Sequence, residues 1–164
     1  MPSPEFTYFI DTSFHLSYCF ADEDCHQEAR AIIDNIRTDC NNPTFITTDI
    51  IFAETINHVY CSQLIKSHRE RQRYAIQIGN DIIRYNKIVS ITPEIFILGW
   101  KLFVERNQQG YTWSFADCNS LVFIREIRKA KYKPDNYTIK KVLSFDKDFI
   151  HAQEEFGFKV IRLL

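Results

Sequence analysis

The chain has 164 residues, 45% hydrophobic and 15% aromatic, enough for a sizeable core in one domain spanning 1–164. Its 20 Lys and Arg nearly balance 21 Asp and Glu, so the net charge of −1 neither demands nor excludes a nucleic-acid partner. The first twenty residues carry Glu5 and Asp11 without a leader pattern, and the apolar run at 95–104 is short and broken by Lys101, so neither a secretion signal nor a membrane span is expected.

An apolar run at 7–10 predicts a first strand, ended by Asp11 in FIDTSF. A segment of helical period at 26–36 follows, then a strand at 44–47 and helices at 49–65 and 74–85. A strand at 88–91 precedes a helix at 93–107, whose start is explicit: Thr92 is an N-cap hydroxyl and Pro93 the first helical residue. The next helix, 115–128, opens with Ser114 and Asp117 in the Ser/Thr-x-x-Asp/Glu capping pattern. After the long loop candidate at 131–138, strands at 141–145, ended by Asp146, and 158–163 complete the chain. The alternation predicts an α/β fold with a mostly parallel central sheet covered by helices. Cys19, Cys25, Cys40, Cys61 and Cys118 are odd in number and form no CxxC pair, which argues for free thiols and a cytoplasmic setting.

Four acids stand out. Asp11 and Asp146 each end a strand, and ligands of open α/β sheets gather outside the carboxyl ends of strands. Taken singly, each also fits a helix N-cap or a turn former. Glu54 shares a helical stripe with Ile50, Cys61 and Ile65, and Asp117 one with Leu121 and Ile124. Asp117 is equally explained by capping, and Glu54 by a carboxylate at the border of a buried face. Brought together, four like charges repel, and a divalent cation relieves that repulsion.

The motifs FIDTSF, TDIIFAETIN, SFADCNSLVF and LSFDKDF followed by GFKVIRL resemble, in this order, those of the PIN-domain family, which includes the VapC-type toxin ribonucleases. The resemblance runs from Thr7 to Leu163 and implies a three-layer α/β/α fold. It further implies that Asp11, Glu54, Asp117 and Asp146 bind Mg²⁺ or Mn²⁺ and serve hydrolysis of RNA phosphodiester bonds, leaving 5′-phosphate and 3′-hydroxyl ends. Ser13 matches the small hydroxyl residue two places after the first acid, as a hydrogen-bonding support or a local turn former. Asp148, beside Asp146, is an additional ligand, a helix-start acid or a surface charge. RNA is the implied substrate, with a small antitoxin protein and a second copy of the chain as further partners. The length around 128–141 exceeds that of the compact toxins of the family.

For substrate binding, 128–141 holds six Lys and Arg against one Asp, with Tyr132 and Tyr137 interleaved. Arg128, Lys129, Lys131 and Lys133 are its candidate RNA contacts. The stretch 66–73 is also basic, and either run is otherwise a solvated face. Competing chemistries are weaker. Glu54 and His58 are four apart without an H-E-x-x-H motif, and Cys19, Cys25, His26 and Cys40 fit no common zinc spacing. An RNA-processing nuclease outside a toxin–antitoxin pair, and a non-catalytic RNA-binding scaffold, are the alternatives to a toxin.

Overall fold

The structure, a computed structural model, describes residues 6–127, 129 and 138–163. Five parallel strands, β1 (Thr7–Ile10), β2 (Thr44–Thr48), β3 (Lys87–Val89), β4 (Lys141–Leu143) and β5 (Lys159–Val160), lie in the order β3-β2-β1-β4-β5. The chain builds outward from β1 to β2 and β3, then crosses back to lay β4 against the free side of β1. That reversal is a topological switch point, where open sheets leave a crevice at the carboxyl ends of their strands.

Helices cover both faces: α1 (Thr12–Cys19), α2 (His26–Asp39), α3 (Asp49–Tyr60), α4 (His68–Tyr85), α5 (Pro93–Gln108), α6 (Phe115–Glu126) and α7 (Lys147–Phe156). The two-residue period of the strands sorts the core. Phe9, Ile46 and Val142 pack with α5, α6 and α7, whereas Tyr8, Ile10, Phe45 and Leu143 pack with α1 and α2. The result is the expected three-layer α/β/α arrangement with an all-parallel sheet. Phe9 and Phe149 are completely buried, worth about 1.5–3 kcal/mol each in apolar area removed from water. A third cluster joins α3 and α4 to Leu16 of α1. No helix among the described residues is long and apolar enough to cross a membrane.

Several boundaries differ from the sequence expectation. Neither α1 nor α7 is expected from periodicity. In α1 four consecutive residues, Phe14 to Ser17, are buried, so no polar face contrasts with an apolar one. In α7 the buried stripe of Phe149, Ala152 and Phe156 is real but only 10 residues long, and it stops at Gly157, whose φ of 69° is the left-handed conformation glycine adopts freely. α3 ends at Tyr60 with Cys61 as its C-cap, so Ile65 does not extend the stripe of Glu54. α4 starts early, capped by Ser67, and takes most of the basic stretch 66–73 into its first turns. α5 and α6 approach closely at Gly99, where a Cβ would lie 2.5 Å from Asn119 Oδ1.

Candidate metal centre

Each strand-end or helix-start acid is built into a cap. Asp11 is the N-cap of α1, its Oδ1 accepting from the Phe14 N–H at 3.0 Å. Asp146 is the N-cap of α7, its Oδ1 accepting from the Asp148 N–H at 2.8 Å. Asp117 closes a capping box, in which Ser114 Oγ accepts from the Asp117 N–H at 3.0 Å and Asp117 Oδ2 accepts from the Ser114 N–H at 2.8 Å. Capping and ligation are therefore not rival explanations. The cap fixes the side chain's orientation, and the partial positive charge of a helix N-terminus favours a carboxylate there.

The acids come together at the carboxyl ends of β1 and β4. Asp117, Asp146 and Asp148 each offer a carboxylate oxygen within 4.8 Å of the others. Asp148, which the sequence leaves between an additional ligand, a helix-start acid and a surface charge, belongs to this tight group. Asp11 and Glu54 lie outside it and are linked to it. Asp11 shares with Asp146 the hydroxyl of Ser144, and Glu54 shares with Asp117 the hydroxyl of Ser114, which donates to Glu54 Oε1 at 3.4 Å. Thr12 Oγ1 donates to the other Glu54 oxygen, Oε2.

The electrostatics record the crowding. Burial first, and then the charge of Asp117, raise the Asp11 carboxyl to about 7 against hydrogen bonds from Ser144, the Phe14 N–H and Ser13. Burial raises Asp117 to about 6, with Asp146 and Glu54 adding to the rise and the Ser114 hydrogen bonds opposing it. Asp148 is raised by burial and by Asp146, against His151 and the neighbouring Trp113. Arg106–Glu155, Arg125–Glu126, Lys129–Glu126 and Arg162–Glu28 are ion pairs that use other carboxylates.

This donor set fits a hard divalent cation. It offers only oxygen, it concentrates negative charge, and among the described residues its hydrogen-bond donors are hydroxyls and backbone N–H groups, with His151 and Trp113 beside Asp148. Ser13 donates to Asp11 Oδ1 at 2.9 Å and accepts from the Phe145 N–H at 2.9 Å. The sequence reading missed Thr12 and Ser144. A signal for Ser144 was present, because Ser144 stands two places before Asp146 as Ser13 stands two places after Asp11.

Lys129 Nζ lies 2.6 Å from Glu126 Oε2, and Arg128, Lys131 and Lys133 lie outside the described residues, as does most of the loop candidate 131–138. On α4, Arg71 is spent on the carbonyls of Ser62 and Ile65 at 3.3 and 3.0 Å. Cys19, Cys25 and Cys40, which fit no common zinc spacing, are free thiols, and His26 Nδ1 bonds the Ser17 carbonyl at 2.8 Å.

Three solved structures share this architecture. VapC20 of Mycobacterium tuberculosis, described as a Sarcin-Ricin loop cleaving toxin, superposes with a TM-score of 0.68 at 21% identity, covering 95% of this chain and 99% of that one. VapBC-5 of the same organism, a member of the VapBC family of toxin-antitoxin systems, gives 0.57 at 12% identity over 96% and 99%. VapBC2 of Rickettsia felis, bound to a DNA fragment from its promoter, gives 0.58 at 11% identity over 94% and 98%. No curated protein sequence matches the chain. The model of the PIN domain matches residues 8–155, nearly the whole length, and the chain belongs to the PIN-domain family.

Proposed function

We propose that this protein is a metal-dependent endoribonuclease that hydrolyses RNA phosphodiester bonds and is the toxin half of a toxin–antitoxin pair. The observation that carries the reading is the close group of Asp117, Asp146 and Asp148, with Glu54 and Asp11 tied to it through the Ser114 and Ser144 hydroxyls. An acid cluster with a purely structural role would be neutralised by Lys or Arg, because unpaired buried charge is costly. Family membership supports nuclease chemistry, and the likeness to VapC20 and to the VapBC complexes supports the toxin assignment.

Asp117, Asp146 and Asp148 would hold the ion, with Asp11 and Glu54 beside them. A Mg²⁺ or Mn²⁺ ion supplies phosphate-charge neutralisation and a more acidic water when bound. The chain's own contribution is orientation without neutralisation. Ser13 and Ser144 hold Asp11, Thr12 and Ser114 hold Glu54, and none of these hydroxyls cancels the negative field. Phosphate attraction by Arg128, Lys129, Lys131 and Lys133 remains part of the proposal.

The partner half of the reading draws support from an apolar groove of about 530 Å³ between α3 and α4, lined by Phe52, Ile56, Tyr60, Ala75, Ile76 and Ile83. Ile76 is 64% exposed, and Leu64, just beyond α3, is 91% exposed. Contiguous apolar surface of this kind marks protein contacts. An antitoxin segment is the proposed occupant, and the mass of the isolated chain in solution separates this from a homodimer interface.

The test of the enzyme half is incubation of the purified chain with mixed RNA in Mg²⁺ or Mn²⁺ and in chelator. Cleavage that requires the ion supports the proposal, whereas none under either condition leaves a scaffold on the same fold.

A further inference from the structure

We propose that Ser144 is a positioning residue of the acid group, strapping the Asp11 carboxylate to the turn that carries Asp146. The inference rests on the metal-centre reading above and adds a residue on which that centre's geometry depends. Ser144 is fully buried just past the end of β4. A hydroxyl has one proton and two lone pairs. The proton goes to Asp11 Oδ2 at 2.7 Å, the shortest hydrogen bond this carboxylate receives, and a lone pair accepts from the Asp146 N–H at 3.0 Å. One side chain thus ties the two strand-end acids together.

Ser13 makes a parallel pair of bonds, to Asp11 and from the Phe145 N–H, but it sits in Asp11's own turn, where the start of α1 holds it in any case. Ser144 is 133 residues from Asp11 and reaches it only because β4 lies beside β1, with Leu143 opposite Ile10. Both hydroxyl protons are spent on Asp11, so the 3.4 Å approach of Ser13 Oγ to Ser144 Oγ is a contact of two oxygens rather than a third bond.

Carboxylates crowded together push one another apart and turn toward water unless something holds them. A Lys or Arg would hold Asp11 but would cancel the field that attracts a cation. A buried hydroxyl restrains it and leaves the charge intact. Without Ser144 Oγ, Asp11 Oδ2 loses its closest donor and the Asp146 N–H its acceptor, and the two acids are free to separate. Outer hydrogen bonds of this kind change metal affinity by about 10–100-fold.

Thermal melts of the full chain, stripped with chelator and then titrated with Mn²⁺, read this directly through the concentration giving half of the metal-induced rise. Ser144→Ala is expected to keep a cooperative metal-free melt and to need about 10–100-fold more Mn²⁺ than wild type. Ser144→Thr, which keeps the hydroxyl, should return close to the wild-type concentration. Should Ser144→Ala fail to fold, Ser144→Cys, similar in size and a weak donor, is read in the same way. A variant whose melting point is lowered equally at every Mn²⁺ concentration, with wild-type half-saturation, overturns the positioning role and leaves Ser144 as packing alone. A wild-type chain that does not respond to Mn²⁺ overturns the metal-centre reading, and the role of Ser144 with it.

Discussion

Ser114 and Asp117 hold one another, side chain to backbone in both directions, at 3.0 and 2.8 Å. The same Ser114 hydroxyl lies 3.4 Å from Glu54 Oε1, so the start of α6 and the middle of α3 meet at one oxygen. Only one Asp117 oxygen is used by the cap. A residue that reads as a helix-start signal therefore also delivers a carboxylate to the crevice, and the two roles are separable by mutation.

Ser114→Ala removes the acceptor for the Asp117 N–H and the donor to Glu54. It should lower stability by about 1 kcal/mol, as loss of an N-cap does, in chelator and in metal alike. Asp117→Asn keeps an oxygen that accepts from the Ser114 N–H and removes one of the mutually repelling charges. Its melting point in chelator should equal or exceed that of wild type, while the rise produced by Mn²⁺ should be largely lost. Parallel melts of the two variants check both expectations.

The metal-free protein should have an inverted pH response near neutrality. Asp11 sits at about 7 and Asp117 at about 6, both above their ordinary 3.8, so from about pH 4 to 7 the folded chain binds more protons through them than the unfolded chain does. The stability they contribute is fully present below 3.8 and is lost as pH rises through the folded values. His15 acts oppositely. Burial pulls it from 6.5 to about 3, so its contribution is lost as pH falls from 6.5 through about 3. Between about pH 7 and 8 the acids outweigh the fading opposite contribution of His15, and in chelator the melting point should rise as pH falls across that window. Asp11→Asn should flatten the rise, and calorimetry at several pH values measures it.

Much of this centre was legible in the sequence, for local reasons. Asp11 and Asp146 stand next to apolar strands, and Asp117 shares its stripe with Leu121 and Ile124, both completely buried. Those relationships span a few residues. The bond from Ser144 to Asp11 spans 133 and depends on β4 choosing β1 as its neighbour, which no local pattern states. The missing α1 has a different cause: buried on successive residues, it shows no helical stripe. The basic stretch 66–73 read as a possible RNA surface, but Ser67 caps a helix there and Arg71 bonds its own loop, a use of arginine that charge counting does not reveal.

Asp146→Asn and Asp148→Asn should behave alike toward metal, since the two carboxylates belong to one group with Asp117. Asparagine is as good an N-cap as aspartate, so Asp146→Asn should leave the metal-free protein as stable or more stable. Both variants should show a reduced melting-point gain in millimolar Mg²⁺ or Mn²⁺. An undiminished gain in Asp148→Asn would return that residue to a helix-start acid.

Gly99→Ala tests the packing of α5 on α6. The added Cβ would meet the Asn119 side chain at 2.5–2.7 Å, and Asn119 is itself completely buried with its Nδ2 bonded to the Phe115 carbonyl. With no room to yield, the variant should lose about 1–3 kcal/mol in denaturant unfolding, despite alanine's better helix propensity.

The most direct test of the central claim is cleavage of mixed RNA by purified wild-type chain and by Asp11→Asn and Asp117→Asn, each in Mn²⁺ and in chelator. Wild type should cleave with the ion and not in chelator, and both variants should cleave at least about 100-fold more slowly although they melt as cooperatively as wild type. Cleavage that persists in chelator, or that both variants retain in full, would overturn the metal-dependent nuclease.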